Sequence, residues 1–142
     1  MWVIDTCVIL DVFENDPQFG LSSARCLTRL LPEGLGVSPL TMVELSVAFS
    51  GRMLEQKWFL DQAGISYSEP WTTVDTEAAH TAWNLHVVKR RRSPTKLPKR
   101  PLPDILIGGY AANRSGLVTR NPSDFVPWFP RLRIIDPSRE KE

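Results

Sequence analysis

Cysteine is scarce in this chain: Cys7 and Cys26 are the only two in 142 residues, and they do not form a CxxC pair. Neither a zinc knuckle nor a disulfide framework is suggested by that usage, and both thiols are expected to be buried. Long apolar runs are missing too, since none approaches the roughly 20 residues that span a bilayer. The opening Met1-Trp2-Val3-Ile4-Asp5 lacks the basic stretch and apolar core of a secretory signal. A soluble, cytoplasmic protein without membrane association is expected. Only two histidines occur, His80 and His86. They fall on one predicted helix about 120° apart around its axis, which suits ordinary surface or packing roles better than a shared metal site.

What is present is ordinary globular material. The chain is 42% hydrophobic and 23% charged, which excludes wholesale disorder. Its 142 residues suit one domain that buries about two-thirds of the surface its unfolded form exposes. We expect that domain over residues 1–137, with a frayed tail at 138–142. The net charge of +1 hides an asymmetry: KRRRSPTKLPKR, from Lys89 to Arg100, holds seven of the 17 basic residues and no acid. Ten basic residues then face 16 acids elsewhere, so the segment carries +7 and the remainder −6. A polyanionic partner meeting that segment is the natural expectation. An exposed helix end with a solvated loop is the alternative, because basic residues near a helix C-terminus are locally favourable in any case.

Strand and helix signals alternate along the chain. Trp2–Ile4 reads as a buried strand, and Thr6 can cap a helix reaching Phe13. Ser22–Leu31 reads as a helix, Leu35–Ser38 as a strand, and the sequence from Thr41 as a helix with a Thr41/Glu44 capping box. A helix over 52–63 is followed by a predicted strand at Trp71–Val74, and Asp75 or Thr76 then caps a long helix ending near Arg92. Prolines 94, 98, 101 and 103 make an extended connection. Beyond it come a helix over Asp104–Arg114, a strand over Leu117–Arg120, a turn over Asn121–Asp124, and a last strand over Leu132–Ile135. This order predicts an α/β fold with a mainly parallel central sheet and helices on both faces.

Four acids fall where strands hand over to helices or loops: Asp5, Glu44, Asp104 and Asp124. That edge is where an open α/β sheet builds its ligand crevice. Carboxylates gathered there repel one another unless cations compensate, so holding a hard divalent metal is their candidate use. Each acid also has a local explanation: Asp5 and Asp104 as helix caps, Glu44 as the capping-box partner of Thr41, and Asp124 as a turn-stabilising side chain. Taken singly, none of them decides the matter.

Their joint placement, together with the segments VIDTCVIL, TMVEL, PDILIGGYAA and LVTRNPSDF, resembles the PIN-domain nucleases, especially the bacterial VapC toxin ribonucleases. The four blocks occur in family order from Met1 to about Pro137, although residues 45–101 contribute little. The resemblance implies a single PIN-like domain and a metal site of Asp5, Glu44, Asp104 and Asp124, with Thr6 and Thr119 supporting it. Asn121 stands where many relatives have Asp, so the fourth ligand is Asn121, Asp124 or both. Cys7 occupies a position often taken by Asn, and Gly108-Gly109 replace a usual pair of alanines; each glycine costs about 1 kcal/mol in helix propensity, though the pair can admit close backbone approach.

The activity so implied is hydrolysis of RNA phosphodiesters with one or two Mg²⁺ or Mn²⁺ ions. Lys89, Arg90, Arg91, Arg92, Lys96, Lys99 and Arg100 would supply the RNA-facing surface, with Arg114 and Arg120 as candidates nearer the acids. The family also implies a cognate antitoxin and a homodimer. A noncatalytic PIN-like module that binds RNA or protein is the competing reading. A phosphatase of another α/β type fits less well, because the opening Asp5-Thr6-Cys7 lacks the expected DxD pair. Of the five tryptophans, Trp2, Trp71 and Trp83 are expected in the core, with Trp58 and Trp128 left unassigned as core or stacking platforms.

Overall fold

The computed structural model describes residues 1–92 and 101–140. Lys96, Lys99 and Arg100 of the expected RNA surface therefore lie outside the described residues. Five short strands make one sheet: β1 (Trp2–Ile4), β2 (Leu35–Gly36), β3 (Ile65–Ser66), β4 (Gly116–Val118) and β5 (Ile134–Ile135). Their order is β3-β2-β1-β4-β5, and every pairing is parallel. Parallel neighbours need crossovers, and the helices supply them: α1 (Thr6–Phe13), α2 (Gly20–Leu30), α3 (Pro39–Glu44), α4 (Met53–Gln62), α5 (Thr73–Arg92) and α6 (Leu102–Ala112).

The two-residue period of β1 divides the core. Trp2 and Ile4 join Val8, Ile9, Leu27, Leu30 and Leu60 on one side, whereas Val3 joins Ile107, Tyr110, Leu117 and Phe125 on the other. Burying a side chain such as Ile4 or Ile107 is worth about 1.5–3 kcal/mol relative to exposure. The central strand is thus sandwiched between helices. Outside α6, α5 packs through Ala79, Ala82, Ile105, Trp128 and Phe129. The expected approach at the glycine pair is present: a Cβ on Gly109 would lie 3.0 Å from the Ala79 backbone nitrogen, and one on Gly108 would strike the Phe129 ring.

Several local expectations are corrected. Trp71–Val74 is not a strand, because Thr72 and Asp75 form the capping box that starts α5: the Thr72 N–H donates to Asp75 Oδ2 at 2.9 Å, and the Asp75 N–H to Thr72 Oγ1 at 3.3 Å. The third strand is Ile65–Ser66, too short to show alternation. Ser38, not Thr41, caps α3, accepting from the Thr41 N–H at 3.1 Å, with Pro39 at the first helical position. Asp5, not Thr6, caps α1. Beyond β5, Pro137–Arg139 forms a 3₁₀ turn against α2, and Glu140 pairs with Arg29. Trp83 is partly exposed rather than core, while Trp128 and His86 are buried.

Candidate functional site

The carboxyl ends of β1 and β4 lie side by side, because the two strands pair in register from Trp2↔Gly116 to Ile4↔Val118. The next residues, Asp5 and Thr119, consequently emerge together at that edge. Asp5 is only 7% exposed and nearly saturated with donors. Its Oδ1 accepts from the Thr6 N–H at 2.8 Å, and its Oδ2 accepts from the Thr119 hydroxyl at 2.7 Å and lies 3.5 Å from Cys7 Sγ. Burial raises the Asp5 carboxyl above its ordinary range despite those bonds, and the charge of Glu44 adds to the rise. The Cys7 thiol is pushed up to about 12 by burial and by the neighbouring Asp5 charge. It is therefore a neutral packing group at neutral pH, and it is half-buried rather than fully buried; Cys26 is buried, as expected.

Glu44 closes α3. With Ser38 serving as the cap, the capping-box explanation for Glu44 falls away, and its carboxylate turns to α1: the Thr6 hydroxyl donates to Glu44 Oε1 at 2.8 Å. Thr6 also lies 3.1 Å from the Thr41 hydroxyl. Asp104, half-buried in the first turn of α6, has its carboxyl pushed up to about 7. Burial is the largest cause, followed by the charges of Asp124, Asp5 and Glu44 in that order. Three of the acids thus act on the carboxyl of the fourth, although the four are drawn from separate segments. Asn121 donates its backbone N–H to Thr119 Oγ1 at 3.1 Å, and its amide nitrogen lies 3.8 Å from Cys7 Sγ. Asp124, at the end of the 3₁₀ turn Pro122–Asp124, is the acid that weighs most on Asp104.

The donor set suits a hard cation. It consists of carboxylate oxygens, and a divalent ion would offset both the burial and the like charges that raise the Asp104 carboxyl. Among the described residues, no three His, Cys, Asp or Glu side chains stand as a group that could hold a metal without rearranging. The two facts are compatible, because Coulomb repulsion decays only as 1/r whereas a Mg²⁺–oxygen bond spans about 2.0–2.1 Å. The acids are electrostatic neighbours rather than a closed coordination shell.

The basic residues divide into two sets. Lys89, Arg90, Arg91 and Arg92 are exposed in the last turn of α5. Arg114 meets Asp75, Gly109 meets Ala79, and Ile105 packs with Ala82, so α5 and α6 run antiparallel. The basic end of α5 consequently lies toward the end of α6 that carries Asp104. Arg114, expected near the acids, is instead committed at the opposite end of α6: its side chain is 8% exposed, contacts Asp75 at 3.0 Å and covers the Tyr110 ring at 3.5 Å. Arg120 is also committed, to Asp11. That buried Asp11 partner is a residue the sequence reading missed. Its signal was a lone acid inside the otherwise apolar run VILDVF.

No protein-family model matches the sequence, and no curated protein does. A solved structure does match in three dimensions: the crystal structure of VapBC2 from Rickettsia felis bound to a DNA fragment from their promoter. The superposition covers 94% of this chain and 96% of that one, with a TM-score of 0.66 and 16% identity. In fold, this chain is a single PIN-like α/β domain.

Proposed function

We propose that this protein is a metal-dependent endoribonuclease that hydrolyses RNA phosphodiester bonds and serves as the toxin of a toxin–antitoxin pair. The observation that carries the reading is the Asp104 carboxyl, raised to about 7 by burial and by the converging charges of Asp124, Asp5 and Glu44 at the strand ends. Gathering like charges around a buried Asp5 and a half-buried Asp104 is costly unless the site binds something positive. The likeness in fold to a chain of the VapBC2 structure supports the toxin assignment.

Asp5, Glu44, Asp104 and Asp124 would hold Mg²⁺ or Mn²⁺, as one or two ions. When bound, such an ion polarises the phosphodiester and makes a water more acidic. The protein's own side chains do the positioning. Thr119 orients Asp5, Thr6 orients Glu44, and Asp104 gives up its proton near neutral pH to complete the charge of the site. The exposed Lys89–Arg92 turn attracts the polyanion toward the Asp104 end of α6. An antitoxin covering the acidic crevice would silence the enzyme, and a homodimer and a cytoplasmic location complete the proposal. No helix among the described residues is long and apolar enough to cross a membrane.

The test is cleavage of a panel of structured RNAs by purified protein with Mg²⁺ or Mn²⁺. Chelator should abolish cleavage. Asp5→Asn should reduce it by more than ~100-fold, since even outer partners of metal ligands commonly cost ~10–100-fold in affinity or activity. Intact RNA under every metal, with RNA binding retained, would favour the noncatalytic module instead.

A further inference from the structure

Asp11 is 3% exposed on α1, where an unpaired charge would be costly. It is fully partnered. Its Oδ2 accepts from Arg120 Nε at 2.6 Å and from the Ser23 hydroxyl at 2.9 Å, while its Oδ1 accepts from Arg120 Nη2 at 3.0 Å. The two arginine bonds form a planar fork. The guanidinium also lies 4.1 Å over the Phe19 ring, which fixes its plane from the side.

Arg120 sits in the segment that builds one wall of the acid cluster. Its predecessor Thr119 donates to Asp5; its successor Asn121 donates its N–H back to Thr119, and the Asn121 carbonyl accepts the Asp124 N–H at 3.1 Å. Residues 119–124 are therefore held to α1 through Asp5 at its cap, through the Asn121–Cys7 contact in its first turn, and through Asp11 in its second turn. Thr119 is also fixed by its own N–H, which donates to the Ile135 carbonyl at 3.0 Å, so the segment beyond it depends on the neutral Asn121–Cys7 contact and on the charged Arg120–Asp11 fork. The fork is the stronger of the two, because it is charged and bidentate, and it braces the stretch that leads to Asp124.

We propose that Asp11 and Arg120 are positioning residues for the acid cluster: their ion pair locks the β4-to-3₁₀ segment onto α1 and thereby sets the cluster's affinity for a divalent cation. This inference rests on the metal-dependent reading above. It also gives Arg120 a role other than direct RNA contact.

The test compares wild type, Arg120→Lys, Asp11→Asn and Ser23→Ala by Mn²⁺ calorimetry and by amide exchange over residues 119–125 without metal. Lysine keeps the charge but not the fork, so it should fold while binding Mn²⁺ about 10-fold more weakly; losses of ~10–100-fold are typical of such outer partners. Asp11→Asn should lose at least as much. Both should speed exchange in the 119–125 segment. Ser23→Ala removes a hydrogen bond from the same carboxylate without touching the arginine, so its melting temperature should drop while Mn²⁺ affinity stays within about twofold, the change expected when the fork itself is intact. Arg120→Lys that exchanges and binds Mn²⁺ like wild type overturns the inference, as does Ser23→Ala that weakens Mn²⁺ as much as Arg120→Lys. Wild type that binds neither Mn²⁺ nor Mg²⁺ defeats the nuclease reading, whereas the exchange data still decide whether the ion pair locks the segment.

Discussion

The Asp104 carboxyl behaves opposite to a salt-bridged one. Its folded value of about 7 lies above the ordinary 3.8 of an aspartate, because burial and three like charges favour the protonated form. Between those two values the folded chain retains a proton that the unfolded chain has released. Without metal, stability should therefore fall as pH rises from about 4 to 7 and level off above that. Asp5 is raised in the same direction and adds to the slope. Asp104→Asn removes the penalty, so with chelator it should melt higher than wild type at about pH 8, by a margin that shrinks toward about pH 4, while losing cleavage. Thermal melts across that range check the sign, and a margin independent of pH would contradict it. Metal affinity should in turn climb with pH up to about 7, as the competing proton leaves.

Local signals in the sequence located elements better than they located caps. The β1 boundaries and the run of α5 to Arg92 were legible, because apolar continuity and a basic helix end are local features. The cap of α3 was not: Ser38 and Thr41 both have cap chemistry three residues apart, and only the path of the chain out of β2 decides between them. That choice matters for the site, since it releases Glu44 to meet Thr6. The glycine pair in α6 is a similar case, a propensity cost explained by packing. Gly109→Ala should gain about 1 kcal/mol in helix propensity but forfeit about 1–3 kcal/mol to overpacking. A Cβ there meets backbone of α5 at 3.0–3.1 Å, which cannot swing aside as a side chain would. A net decrease in denaturation midpoint is expected, and an increase would show that α5 shifts freely.

At the scale of the molecule, a nearly neutral chain gathers four neighbouring acids and carries a concentrated basic segment. The acids alone would repel RNA, so under the proposed function affinity should depend on the basic end of α5. Replacing Lys89, Arg90, Arg91 and Arg92 with Gln should weaken RNA binding broadly across sequences. It should also flatten the dependence of log affinity on log salt by about 0.7–1 for each phosphate no longer neutralised. The fold should be untouched, because all four are exposed. Affinity measured from low to moderate salt tests this, and an unchanged salt slope would place the RNA-binding surface elsewhere.

By itself the sequence determined the α/β class, the central strand and the order in which the four acids appear, because these follow from short-range periodicity and from linear order; of the four acids, only Asp5 directly follows a strand. Only the tertiary structure decided which charges meet. Arg114 and Arg120 read as free cations along the chain, yet they pair with Asp75 and Asp11, 39 and 109 residues away. Nothing local encodes such pairings: Arg114 meets Asp75 where α5 packs antiparallel on α6, and Arg120 meets Asp11 where the chain leaving β4 crosses α1. The same long-range convergence sets Asp104 among three other carboxylates.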